Sequence, residues 1–137
     1  MPELKWNEID FLDFFEVEPQ YDEFFTSYSY EVQRGQLRLL FTVWPIESTA
    51  QASLFHGRQE QPLFSIAAYV RGEARLIKES GLNRLDLEDC IIAPSRFWYI
   101  EAGNVFDRVR FPVSVTMSMM VNPDLSIDLT NFQQSRT

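Results

Sequence analysis

Residues 109–121 constrain the fold of this chain more than any other stretch. Val109, Phe111, Val113, Val115, Met117, Met119 and Val121 alternate with Arg110, Pro112, Ser114, Thr116, Ser118 and Met120. A period of two marks a β-strand with one apolar and one mostly polar face. Asn122-Pro123-Asp124 supplies type I turn chemistry. Leu125, Ile127 and Leu129 then resume the alternation. The pattern predicts a C-terminal hairpin whose apolar face needs a second layer over it.

Similar runs recur upstream. Tyr28, Tyr30 and Val32 share one face, and Leu37, Leu39, Phe41 and Val43 share another, with Arg34-Gly35 as the turn between them. Phe64, Ile66, Ala68 and Val70 precede Gly72-Glu73 and a return over 75–78, which reads as another hairpin. Leu85, Leu87, Asp89 and Ile91 form a further strand closed by Pro94, and Phe97 to Ile100 is one more. Residues 47–62 are polar and read either as a long loop or as a weak strand over 49–55. Gly35, Gly57, Gly72, Gly81 and Gly103 each stand singly at a break between runs and read as turns. The prediction is a mainly β fold: an antiparallel β-sandwich or flattened barrel of about eight strands. Helices do not alternate with the strands, which argues against a parallel α/β sheet.

One helix is expected, at the N-terminus. Phe11, Phe14 and Phe15 lie at helical spacing, with Asn7 or Asp10 as N-cap and Pro19 beyond the end. Around it, residues 6–25 interleave rings with acids. Two readings compete. The rings cap the core, or the acidic, aromatic segment docks a basic protein partner. The cap is favoured because so many rings need burial, and Phe24 is expected to be buried with the others.

The 137 residues fit one domain, 1–137, and 45% hydrophobic content supports a real core. Residues 1–31 hold nine acids and one base, which accounts for the whole net charge of −8. Such a balance repels phosphate backbones and anionic membranes, so neither nucleic acid nor a membrane is an expected partner. No apolar run approaches the ~20 residues of a membrane span, and the acid-bearing start does not read as a signal peptide. Cys90 is the sole cysteine, so the expected location is a reducing cytoplasm.

Catalytic and cofactor signatures are scarce. No two glycines lie within eight residues of each other, which excludes the glycine-rich phosphate loops. One His and one Cys cannot build a structural zinc site, so no metal and no cofactor is expected. His56 reads as a surface loop residue and Cys90 as an inert core thiol. Asp86 and Glu88 share a strand face about 6.6 Å apart, with Arg84 beside them. They read as a salt-bridged face, with Arg108 or Arg110 across from them, rather than as an acid–base pair.

Arg108 and Arg110 share the polar face of the 109–121 strand with Ser114, Thr116 and Ser118, a strip suited to an anion, a protein partner or a second copy in a homodimer. Trp44, Tyr69, Trp98 and Tyr99 are the candidate lining of an aromatic pocket inside the sheets. Two functions remain open: a non-catalytic cytoplasmic interaction or binding module, and a small-molecule carrier or simple enzyme built round that pocket.

Overall fold

The structure is a computed structural model, and it describes residues 3–79, 81–93 and 107–131. Among these residues the chain is mainly antiparallel β, with a single short helix. Helix α1 spans Glu8–Phe15. Strands follow as β1 (Gln20–Asp22), β2 (Ser27–Arg34), β3 (Leu37–Trp44), β4 (Thr49–His56), β5 (Phe64–Val70), β6 (Ala74–Glu79), β7 (Leu82–Ala93), β8 (Val115–Met120) and β9 (Ser126–Asn131). They form one sheet in the order β1-β2-β3-β4-β5-β7-β8-β9, with β6 also on β7.

The sheet curls round a single core. Tyr30 and Val32 of β2, Leu39, Phe41 and Val43 of β3, Leu85 and Leu87 of β7, and Met117 and Met119 of β8 meet in one buried cluster with Phe11, Phe14 and Phe15 of α1. The two-residue alternation of each strand selects these side chains. Ala50, Ala52 and Ala68 line the cluster on β4 and β5, where small side chains leave room for the rings. Arg34 fastens the curl. Its Nε donates to the carbonyl of Val121 at 2.8 Å and its Nη2 to Asn122 Oδ1 at 2.8 Å, tying the end of β2 to the turn after β8.

Several expectations need correction. Of the two readings of 47–62, the strand is the one formed, not the long loop: 49–56 is paired on both sides, from Trp44↔Thr49 to Leu37↔His56 on β3 and from Thr49↔Tyr69 to Leu54↔Phe64 on β5. His56 ends that strand and is exposed. Segments 64–70 and 74–79 are not a hairpin. Both pair with the twelve-residue β7, β5 through Cys90–Ala93 and β6 through Leu82–Leu87. Gly72 therefore marks a kink. Its φ is not positive, but a Cβ there would lie 2.8 Å from the carbonyl oxygen of Glu88 on β7, so close backbone approach requires the glycine.

The C-terminal hairpin is shorter than its alternation suggests. Residues 108–110 form a turn, Val109 is 90% exposed, and the strand begins only at Val115. The register Met119↔Ile127 and Met117↔Leu129 is the one the alternation requires. The connecting turn carries a cis Asn122–Pro123 peptide bond in place of the expected type I geometry. The proposed strand over 97–100 and the turn at Gly103 lie outside the described residues.

Candidate functional site

The N-terminal segment has two sides, and its sequence dictates both. Asn7 caps α1, its Oδ1 accepting from the backbone N–H of Ile9 at 3.0 Å and of Asp10 at 3.1 Å. Glu16 ends the helix in the left-handed region and donates its N–H to the carbonyl of Leu12 at 2.9 Å. Between the caps, the i, i+3, i+4 spacing turns Phe11, Phe14 and Phe15 inward, all buried. Phe15 stacks on Tyr30 with ring centroids 4.3 Å apart, and Trp6 lies parallel to Phe11 at 3.5 Å. Trp6 Nε1 donates to the Tyr30 hydroxyl at 3.0 Å, which satisfies two polar groups at the edge of the core. The cap is thus part of the core.

The other side of the same segment faces out. Glu8, Asp10, Asp13, Glu16, Glu18, Asp22 and Glu23 are all exposed. Asp13 meets Lys78 at 3.7 Å and Glu16 meets Arg34 at 3.9 Å, both weak surface pairs. Among the described residues Asp10, Glu18 and Glu23 form no ion pair.

Beyond α1, Asp22 organises the β1–β2 turn. Its Oδ1 accepts from the backbone N–H of Phe24 at 2.9 Å and of Phe25 at 3.2 Å. The two rings stand edge to face, centroids 4.9 Å apart, with Phe24 85% and Phe25 55% exposed. Phe24 is therefore not part of the cap, contrary to expectation: the turn held by Asp22 carries it away from the core. Behind it, Tyr21 packs against Tyr28 at 4.9 Å, and the Tyr28 hydroxyl donates to Glu8 Oε1 at 2.6 Å. That bond to a carboxylate, with some burial, pushes the Tyr28 phenol up to about 12.

A second polar cluster lies at the bulge of β7, where the β7–β8 register shifts between Leu87 and Cys90. Asp89 sits there with positive φ and is 2% exposed. Arg71 Nη2 donates to Asp89 Oδ1 at 2.9 Å, Arg108 Nη2 donates to Oδ2, and Arg71 Nη1 reaches the Phe111 carbonyl at 2.9 Å. Burial opposes ionisation of Asp89. Hydrogen bonds from Arg108 and Ser114 and the charges of Arg71 and Arg108 outweigh it, holding the carboxyl below its usual range. Each carboxylate oxygen has a guanidinium partner, so the cluster is a structural clamp on residues 107–114. Burial first, with Asp89 and Glu88 adding to it, pushes the neighbouring Cys90 thiol up to about 12, far from nucleophilic.

The other residues singled out from the sequence are scattered. Arg108 is absorbed by Asp89, and Arg110 lies 3.8 Å from Asp107 in the turn before β8, so neither joins a polar strand face with Thr116 and Ser118. Arg84 grips both oxygens of Asp86, at 2.9 and 3.2 Å, and Arg75 approaches Glu88 at 3.4 Å. The basic partners of this face are thus Arg84 and Arg75, not Arg108 or Arg110. Trp44 and Tyr69 are half-buried on the second face of the sheet, in one cross-strand row with the buried Thr49 and Ile91, opposite the face that holds Val43, Ala50, Ala68 and Cys90. Trp98 and Tyr99 lie outside the described residues.

Two features went unread in the sequence. The signal for the Asp89 clamp was an acid on the apolar side of an alternating run. The signal for the turn was an Asp two residues before a Phe-Phe pair. Among the described residues no group of three or more His, Cys, Asp or Glu is arranged to hold a metal ion. No described helix is long and apolar enough to cross a membrane.

No protein-family model matches the chain, and no curated protein matches it. The fold is similar to a solved chain described as "Contact-dependent growth inhibition toxin - immunity protein complex from Klebsiella pneumoniae 342", with a TM-score of 0.68 over 95% of this chain and 97% of that one, at 17% identity. At that identity the likeness is one of fold.

Proposed function

We propose that the protein is a non-catalytic binding module whose partner is another protein, in the manner of one member of a toxin–immunity pair. The observation that carries this reading is the two-sided N-terminal segment. Its rings complete the core on one side, while its acids and the Phe24–Phe25 pair are left in solvent on the other. Aromatic residues in a charged surround are the usual anchors of protein interfaces. The fold likeness supports the same class, because that chain is described as part of a protein–protein complex. An immunity-type role requires binding and occlusion of the partner rather than chemistry. A single cysteine, which allows no intrachain disulfide, supports a cytoplasmic location.

A homodimer has less support. The strand face expected to form it begins only at Val115, and Asp86, paired to Arg84, lies opposite Ser118 on it. A carrier role, the alternative from the sequence, would place its ligand against Trp44 and Tyr69 on the sheet face opposite the core cluster.

The test is co-production with growth-inhibiting toxin domains, scored by restored growth and by co-elution of the two proteins. One basic domain that is neutralised and co-elutes is the expected result. No rescue by any domain, together with a melting-temperature rise of several degrees on adding a metabolite, would transfer the assignment to the carrier.

A further inference from the structure

We infer that the partner is gripped by the β1–β2 turn, with Phe24 and Phe25 as anchor rings beside the carboxylates of Asp22 and Glu23, and that its contact surface is basic with an apolar recess. The inference rests on the protein-binding reading above and adds the surface and the chemistry of the partner.

The two most exposed phenylalanines among the described residues stand side by side on one turn. Exposed rings of this size are unfavourable in water, and paired rings at the tip of a turn form a compact apolar patch. They need no rearrangement to bind. Asp22 holds both backbone N–H groups of the turn, and the Tyr21–Tyr28 pair beneath it is tied to α1 through Glu8. A patch fixed in this way loses little conformational freedom on association.

The charge names the occupant. Asp22 and Glu23 adjoin the rings, Glu18 lies just before β1, and Glu8 reaches the base of the turn through Tyr28. Residues 1–31 carry one base against nine acids. A nucleic acid or an anionic surface would be repelled, whereas lysines and arginines round an apolar recess would be drawn in and then desolvated against the rings. Arginine could also stack on the ring faces.

A displayed library of random peptides, panned on the 137-residue chain, tests the surface without knowledge of the natural partner. The most enriched peptide is then synthesised and titrated. Enriched sequences are expected to combine Lys or Arg with apolar residues. The titrated peptide should bind the Phe24→Ser, Phe25→Ser double variant at least about tenfold more weakly, the loss typical of a hot-spot side chain. Both positions are exposed, so the variant should melt as the parent does. Glu23→Lys, which leaves the rings in place, should weaken the same peptide and reduce the salt dependence of its binding.

Peptides that bind parent and double variant equally would overturn the surface assignment while leaving a protein partner elsewhere on the molecule. A lack of any enrichment would overturn the turn as an anchor, with the growth-rescue experiment unaffected. Light scattering that finds a dimer of the parent, lost in the double variant, would give the rings to a second copy and also overturn the inference.

Discussion

Asp89 shows how one residue can set local architecture. An acid at a buried bulge is tolerable only because two guanidinium groups meet it, one of them on Arg71, whose side chain is 1% exposed. Asp89→Asn should remove the carboxylate that meets this buried cation at 2.9 Å and cost about 3–5 kcal/mol in a denaturant titration, the usual penalty for breaking a buried pair from one side. The folded-state pKa of Asp89 is depressed. Its contribution is therefore fully present above the unfolded value near 3.9 and is lost as pH falls through the lower folded value. The parent should accordingly lose stability below about pH 4 by more than the Asn variant does, relative to each protein at neutral pH.

Cys90, one residue on, should react with a thiol reagent at pH 8 only as fast as the protein unfolds, because its thiol is buried and raised to about 12. Labelling at the rate of a free thiol would show that β7 opens locally. The carboxylates of Asp86 and Glu88 are engaged by Arg84 and Arg75, so EDTA should leave the melting temperature unchanged. A fall of several degrees would return them as metal ligands.

At the scale of elements, α1 carries the argument. Phe15 is fully buried, so Phe15→Ala should cost about 3–5 kcal/mol, whereas Ile9→Ala on the outer side of the helix should be almost neutral. Equal effects in a thermal melt would mean that the helix is turned the wrong way. The helix and its inward face were legible in the sequence, and its cap was narrowed to Asn7 or Asp10, because all three are local: a capping side chain and a 3.6-residue spacing. The β2–β3 hairpin was legible for the same reason, through period two and Gly35, whose φ of +60 explains the glycine.

Features that depend on distant partners were not legible. Strand β4 was legible only as one of two readings, a weak strand or a long loop, because Gln51 and Ser53 alternate with the small Ala50 and Ala52, and pairing with β3 and β5 decides between them. Residues 109–113 have a strand's alternation without its pairing, since Arg108 is drawn to Asp89 instead. The division of 64–79 between β5 and β6 follows from the length and bulge of β7, which no local pattern in 64–79 announces. Of the candidate site, composition revealed the acidity and the rings. The turn that separates Phe24 and Phe25 from the buried phenylalanines depends on Asp22, which a spacing argument for burial passes over.

For the whole molecule, the distribution of charge and the position of the core are one design. The charge excess belongs to a segment that the core cannot do without, so acids are presented to solvent on a rigid support rather than on a loose tail. Burial of Phe11, Phe14 and Phe15 should contribute roughly 1.5–3 kcal/mol each, together comparable to the whole stability margin of a typical domain. A loose acidic tail, by contrast, could be removed without consequence for the fold. The measurement that separates these cases is a thermal melt of a chain beginning at Asp22 beside the full chain. If the segment is part of the core, the shortened chain has no cooperative transition, or aggregates. A shortened chain that melts cooperatively within about two degrees of the full one, a difference worth well under 1 kcal/mol, would contradict the account.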